Sequence, residues 1–297
     1  MTPAPEVTVI VPARNAGDGL SRLAAALRAQ TLAPQRWEAI FVDDASTDGS
    51  ADAAEAAGVF SVIRRATCGG SYAARNDGLA VARGDVIAFV DVDCMPAPEW
   101  LERGLARLRA GDATLVAGHV EVPVGRTPTT AALVDRVSFL DQESMVRKGV
   151  AVTANLWVSR DVFDRVGPFN DRVSSGGDQE FTERAVRHGE RLVYGPEVVV
   201  VHPPRTRPSE LARKGYRIGF ADAEHRRHAE SSLARRDRPC AQPGNWLPRR
   251  RIWSFQRLQG TGIALHRRRR ARMYAAQYLF LQLPMLWGNV VGSVRVR

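Results

Sequence analysis

Residues 86–93 read Val-Ile-Ala-Phe-Val-Asp-Val-Asp, five apolar residues followed at once by two carboxylates one residue apart. An unbroken apolar run of this length, rich in β-branched side chains, suits a strand buried on both faces. The carboxylates then stand just past its carboxyl end. The same pattern recurs upstream. Val7-Thr8-Val9-Ile10-Val11 stops at Pro12-Ala13-Arg14-Asn15, and Ala39-Ile40-Phe41-Val42 runs straight into Asp43-Asp44.

Between these runs lie helical patterns: Leu20, Leu23, Ala24 and Leu27, then an Ala-rich stretch from Ser50 to Ala57, then Tyr72 to Arg83. A short strand is expected over 59–63. Buried strands alternating with amphipathic helices predict an α/β domain with a mostly parallel sheet covered on both faces. In such sheets ligands bind outside the carboxyl ends of the strands. Three polar clusters, around Arg14, Asp44 and Asp91, are therefore expected at one rim.

Farther along, a helix is expected over 98–110 and a strand over 114–122. Residues 123–130 read as a Pro/Gly/Thr linker, with a helical stretch through about 148. Residues 151–158 read as a strand, and 161–166 as a short helix ended by Gly167-Pro168. Gly176-Gly177 precede Asp178 and a helix to His188. An apolar strand over 198–201 delivers His202.

Charge divides the chain. Residues 1–205 carry 22 Lys+Arg against 27 Asp+Glu, whereas 206–297 carry 20 against 5. A mildly acidic body and a strongly basic tail call for different partners. Three cysteines without CxxC spacing argue against a disulfide framework or a zinc site and fit a reducing compartment. The N-terminus reads as a buried strand rather than a signal peptide, so a cytoplasmic protein is expected.

Two carboxylates at Asp91 and Asp93 suit a hard divalent cation, Mg²⁺ or Mn²⁺, that takes few protein ligands and completes its shell with phosphate oxygens and water. Such a cation stabilises a departing diphosphate. Asp43-Asp44 could accept hydrogen bonds from a base or a ribose hydroxyl, while Ser46 or Asp48 caps the next helix. Asp178 reads either as a general base or as a helix cap. Glu180 is a partner of that site or a charge favoured by the helix dipole. Cys94, Trp100 and Trp157 read as packing residues, with Trp157 also a candidate to lie beside an acceptor.

The segments VTVIVPARN (7–15), FVDDASTDGS (41–50), GGSYAARNDGLAVARGDVIAFVDVDC (69–94), NLWVSRDVFDRVGPFN (155–170) and GGDQEFTERAVRHG (176–189) resemble family 2 glycosyltransferases, over roughly residues 6–203. The resemblance implies a GT-A type nucleotide-diphospho-sugar transferase fold and transfer with inversion at the sugar. Asp44 would read the nucleobase with Pro12 against it, and Arg14 and Arg75 would help hold the nucleotide. Asp91 would contact the ribose and Asp93 the metal. Asp178 would deprotonate the acceptor, and His202 would be a metal or diphosphate ligand. The family's usual Glu-Asp pair is Gly177-Asp178 in this chain.

These readings give a catalytic domain over 1–205, divided into a nucleotide half (1–95) and an acceptor half (96–205), and a basic helical extension over 206–297. The expected partners are a nucleotide-sugar donor, UDP-linked by default, and a glycan or lipid-linked acceptor. Arg249–Arg251 and Arg267–Arg270 bracket Ile252, Trp253, Phe255 and Leu258, and no charge occurs from Met273 to Val294. Three amides and Pro284 make the latter a poor transmembrane helix. An interfacial helix on an anionic membrane surface fits better, beside packing on the catalytic domain. The tail also raises a nucleic-acid binder as an alternative, but it carries no recognisable reader motif and would leave the acidic rim without a purpose. A nucleotidyltransferase of similar fold would want a Gly-rich loop with a basic residue after the first strand, which residues 12–17 lack.

Overall fold

The computed structural model describes residues 4–226, 263 and 267–294. The chain forms β1 (Val7–Ala13), α1 (Gly19–Arg28), β2 (Trp37–Asp43), α2 (Ser50–Ala57), β3 (Ser61–Arg64), α3 (Ser71–Val81), β4 (Val86–Val90), the two-residue β5 (Met95–Pro96), α4 (Trp100–Arg109) and β6 (Leu115–Glu121). It continues through α5 (Thr130–Ser138), α6 (Gln142–Val146), β7 (Asn155–Ser159), α7 (Asp161–Val166), α8 (Gly177–Arg187) and β8 (Leu192–Val201) to α9 (Pro208–His225). After the undescribed stretch come α10 (Arg267–Gln277), a π-helical turn (Tyr278–Gln282) and α11 (Leu283–Val294).

One sheet runs β3-β2-β1-β4-β7-β6-β8-β5. Its first half is wholly parallel, with Val7 beside both Trp37 and Val86. β7 then pairs antiparallel with both β4 and β6, whereas β6 and β8 are parallel. The sheet is therefore mixed, flanked by helices. Every residue of β1 and β4 is buried, as their apolar runs require.

β7 is shorter than its sequence pattern. Ala151 N–H donates to Thr182 Oγ1 (2.9 Å), Val152 N–H to Gln142 Oε1 (3.0 Å) and Thr153 N–H to Asp178 Oδ2 (3.2 Å). Three successive amides thus serve side chains instead of a strand ladder. Past them, Asn155 is fully buried and fully satisfied. Its Oδ1 accepts from Trp100 Nε1 (2.9 Å) and Trp157 Nε1 (3.3 Å), and its Nδ2 donates to the carbonyls of His119 and Val198. That network ties β6, β7, β8 and α4 together. Trp157 packs edge-on against Trp100 inside the core.

The chain falls into two compact units. The first holds the sheet: residues 1–121, 142–171 and 177–202. The second combines 122–141, 172–176 and the described residues from 203 onward. Within it, buried Asp135 on α5 accepts from Arg205 N (3.1 Å) and Arg205 Nη1 (3.0 Å), and Glu224 on α9 accepts from Ser174 N and Oγ. α9 meets the π-helical turn and α11 backbone to backbone. A Cβ at Gly215 would stand 2.5 Å from the Leu281 carbonyl, and Gly219 and Gly288 leave still less room. The readings for Arg249–Arg251, Ile252, Trp253, Phe255 and Leu258 fall outside the described residues.

Candidate active site

The expected rim residues all belong to the first unit, and they gather into three linked groups. The first is around Asp44. The loops after β1 and β2 are fastened to each other: Asn15 N–H donates to Ser46 Oγ (2.8 Å), Thr47 N–H to Asn15 Oδ1 (2.9 Å) and Ala16 N–H to Ser50 Oγ (2.8 Å). Ser46 is therefore a loop fastener and not a helix cap. The N-cap of α2 is Gly49, which makes no side-chain cap, and Asp48 accepts the Ser50 amide (3.1 Å) from one residue earlier. Ala45 adopts a left-handed φ of 57°, a conformation costly for alanine, beside the site.

Asp44 itself is buried. Its Oδ1 accepts from Gly69 N (2.8 Å) and Arg65 Nη1 (2.6 Å); its Oδ2 accepts from Gly70 N (2.8 Å) and the Cys68 thiol (3.2 Å). Burial works against the charge, but the Gly69 amide, the thiol, the Gly70 amide and Arg65 together hold the Asp44 carboxyl below its ordinary value. Arg14 Nη1 reaches Cys68 Sγ (3.1 Å), completing a chain Arg14–Cys68–Asp44. Pro12 lies buried in β1 opposite Val42.

The second group surrounds the DxD segment. Cys94 N–H closes a turn onto the Asp91 carbonyl (3.0 Å). Arg75, buried on α3, donates to Asp91 Oδ1 at 2.6 Å. Asp93 is half exposed, and His202, buried at the end of β8, places Nε2 at 3.4 Å from Asp93 Oδ2. Among the described residues the buried Nδ1 of His202 has no hydrogen-bond partner. Gly19 makes the approach of α1 possible, since a Cβ there would stand 3.0 Å from the Val92 carbonyl. Burial, then the charges of Asp91 and Asp93, push the Cys94 thiol well up, so it stays an uncharged packing group.

The third group is Asp178, in the first turn of α8. Oδ1 accepts from Tyr72 Oη (3.1 Å) and from Gln179 N (2.9 Å); among the described residues Oδ2 accepts only the Thr153 amide. A carboxylate has about four lone-pair sites, so Oδ2 keeps one for a proton. The Arg75 guanidinium stands 5.6 Å over the Tyr72 ring, which links this group to Asp91 through one turn of α3. Glu180 is buried and paired with Arg184 (3.0 Å), whose guanidinium also serves the carbonyls of Val166 and Pro168.

The sequence reading did not single out Tyr72, Thr153, Arg65, Cys68 or the two glycine amides as site groups. Gly69-Gly70 just before a helix was a usable signal, because such amides suit anions. Tyr72 gave none, its partner being 106 residues away.

A carboxylate rim at the strand ends of a mixed α/β sheet flanked by helices is the arrangement of a GT-A type fold. The solved mannosyltransferase PcManGT of Pyrobaculum calidifontis, in complex with GDP-Man and Mn²⁺, shares the fold with a TM-score of 0.64 at 20% identity, covering 97% of this chain and 88% of that one. The family model for glycosyl transferase family 2 matches residues 8–167. The chain is 35% identical to glycosyltransferase AglE of Haloferax volcanii over 220 residues, 72% of each protein. It is 31% identical to the pre-mycofactocin glycosyltransferase of Mycobacterium tuberculosis over 248 residues, 76% of this chain and 49% of that protein. This chain belongs to glycosyl transferase family 2.

Proposed function

We propose that this glycosyltransferase moves a sugar from a nucleoside-diphosphate donor to an acceptor hydroxyl with inversion, using Asp178 as the base. The observation that carries the reading is the position of the Asp178 carboxylate. It keeps one unoccupied lone-pair site on Oδ2 and connects through Tyr72 and Arg75 to the DxD segment. The acceptor O–H gives its proton to Oδ2, its oxygen bonds to the anomeric carbon, and the bond from that carbon to the diphosphate oxygen breaks with the electron pair leaving on the diphosphate. One carboxylate suffices because no side chain has to protonate the leaving group.

Asp93 and His202 are the residues that would hold Mn²⁺ or Mg²⁺. The oxygen and imidazole donors suit either ion, and the buried Nδ1 without a protein partner leaves the ring dependent on another group. Among the described residues no set of three His, Cys, Asp or Glu converges; an ion held there would take most of its shell from diphosphate and water. The bound ion would supply Lewis-acid stabilisation of the departing diphosphate. Arg75 keeps Asp91 aimed at the ribose, and Asp44 with Pro12 and Arg14 forms the base end. A base N–H that pairs with Asp44 takes the place of one of its present donors.

The extension supports a second partner, an anionic lipid surface that would also present a lipid-linked glycan acceptor. Leu279, Trp287 and Val294 are 51%, 60% and 66% exposed on an uncharged helical stretch, next to Arg268, Arg270 and Arg272. Apolar side chains beside arginines suit an interfacial helix. Among the described residues no helix is long and apolar enough to cross a membrane.

Calorimetric titration with UDP, GDP and dTDP, each with and without Mn²⁺, tests the donor half of this reading. One nucleotide is expected to bind more tightly with Mn²⁺. Equal binding of all three with and without the ion would refute the metal assignment.

A further inference from the structure

Resting on Asp178 as the base, we propose that Tyr72 is the positioning residue that orients this carboxylate and couples it to the donor-holding helix. The Tyr72 hydroxyl donates to Asp178 Oδ1 at 3.1 Å, and the Gln179 amide takes the remaining site on that oxygen. With both sites on Oδ1 taken, the plane of the carboxylate is held, since tilting it breaks both bonds. The position of Oδ2 is thereby the one left to meet the acceptor.

The phenol is a dependable donor. Burial and then the Asp178 charge push its ionisation far above the ordinary range, so it stays protonated at any pH the protein survives. It is also held firmly. Its ring packs against Phe169 at 6.0 Å and lies under the Arg75 guanidinium. The ring also stands against Gly177, where a Cβ would lie 2.9 Å from Cδ2 and Cε2.

That contact accounts for the glycine at 177. A glutamate in its place, as in the family's usual pair, would have to occupy space the Tyr72 ring already fills. The tyrosine and the glycine are one arrangement: the small residue admits the ring, and the ring delivers its hydroxyl to the neighbouring carboxylate. Tyr72 and Arg75 lie three residues apart on α3, so one helical turn orients the base with one side chain and Asp91 with the other.

The test uses the full chain and follows release of nucleoside diphosphate from GDP-mannose, UDP-glucose and UDP-N-acetylglucosamine with Mn²⁺, continuing with the donor turned over fastest. Tyr72→Phe keeps the ring and removes the hydroxyl. A hydrogen bond to a charged acceptor lies at the strong end of the range, so kcat should fall roughly tenfold to a hundredfold. Donor KM should stay near that of the unsubstituted protein, while the melting temperature falls by roughly several degrees, as loss of a buried hydrogen bond requires whatever its catalytic role. A merely structural tyrosine predicts near-normal kcat for the Phe variant, and kcat within twofold would overturn the proposal. Gly177→Ala, which pushes the ring away, should lower kcat in the same way without raising donor KM; a normal kcat there overturns the coupled arrangement. Asp178→Asn is run alongside. If it is inactive while Tyr72→Phe is normal, only the role of Tyr72 fails; if Asp178→Asn turns over normally, the assignment of the base is itself wrong.

Discussion

Asp44→Asn exchanges one carboxylate oxygen for an NH₂ at a residue where both oxygens already receive two donors each. In one orientation the new NH₂ faces Arg65 and the Gly69 amide; in the other it faces the Gly70 amide and the Cys68 thiol. The second costs less, since a thiol can turn to accept, yet it still breaks one amide bond to a charged acceptor and removes the charge opposite Arg65. Each bond to a charged group contributes about 1.5–3 kcal/mol, and a stranded buried donor adds its own penalty. The Asp44 side chain is 5% exposed and that of Arg65 18%, so solvent screens little of this. A local loss of about 2–4 kcal/mol follows. It should appear as opening of the 65–70 segment more than as global unfolding. Amide hydrogen exchange at Gly69 and Gly70 is the assay, with protection expected to drop roughly thirtyfold or more. The difference should fade in acid. A carboxyl held below its ordinary value of 3.8 stabilises the folded state at neutral pH, and that stabilisation is lost as the pH falls through the lowered value. Unchanged exchange at both glycines at neutral pH would refute the account of Asp44 as the anchor of this loop.

Three further outcomes are expected. Asp93→Ala should abolish the gain in nucleotide affinity on adding Mn²⁺ while leaving metal-free binding alone, checked by the same calorimetry; an intact gain would remove Asp93 from the ligand set. Gly118→Ala would drive a methyl into the buried Asn155 amide, which bonds one carbonyl on β6 and one on β8. Overpacking and a broken buried network should destabilise the fold by about 2–4 kcal/mol, read from denaturant unfolding. Trp287→Ser with Leu279→Ser should reduce pelleting with phosphatidylglycerol vesicles at least several-fold without altering nucleotide binding, and equal pelleting would end the lipid-surface reading.

The strand-ending carboxylates were legible because local composition writes them out. An apolar run such as 86–90 can only be buried, and a polar residue right after it can only stand at the strand's end. Asp44, Asp91 and Asp93 could be named that way, as could the alternation that makes the first half of the sheet parallel; Asp178 was named from the start of its helix and from the family resemblance. Where local pattern competed with distant partners, it failed. Residues 151–153 have strand-like side chains, but their amides go to Thr182, Gln142 and Asp178, so β7 starts at Asn155. Ser46 has the chemistry of a cap, yet its hydroxyl faces Asn15 across a 31-residue separation.

The residues that surround the carboxylates were decided by tertiary structure. Tyr72 meets Asp178, Arg75 meets Asp91 and His202 meets Asp93 because the sheet brings the ends of separate elements to one rim. The two-unit division had the same origin, since Asp135 finds Arg205 and Ser174 finds Glu224 only once the chain has folded back. The sequence by itself determined which groups carry charge and which segments must be buried, because burial depends on a residue and its near neighbours. Which donor each carboxylate faces depends on pairs far apart in the chain, and only the folded chain brings those together.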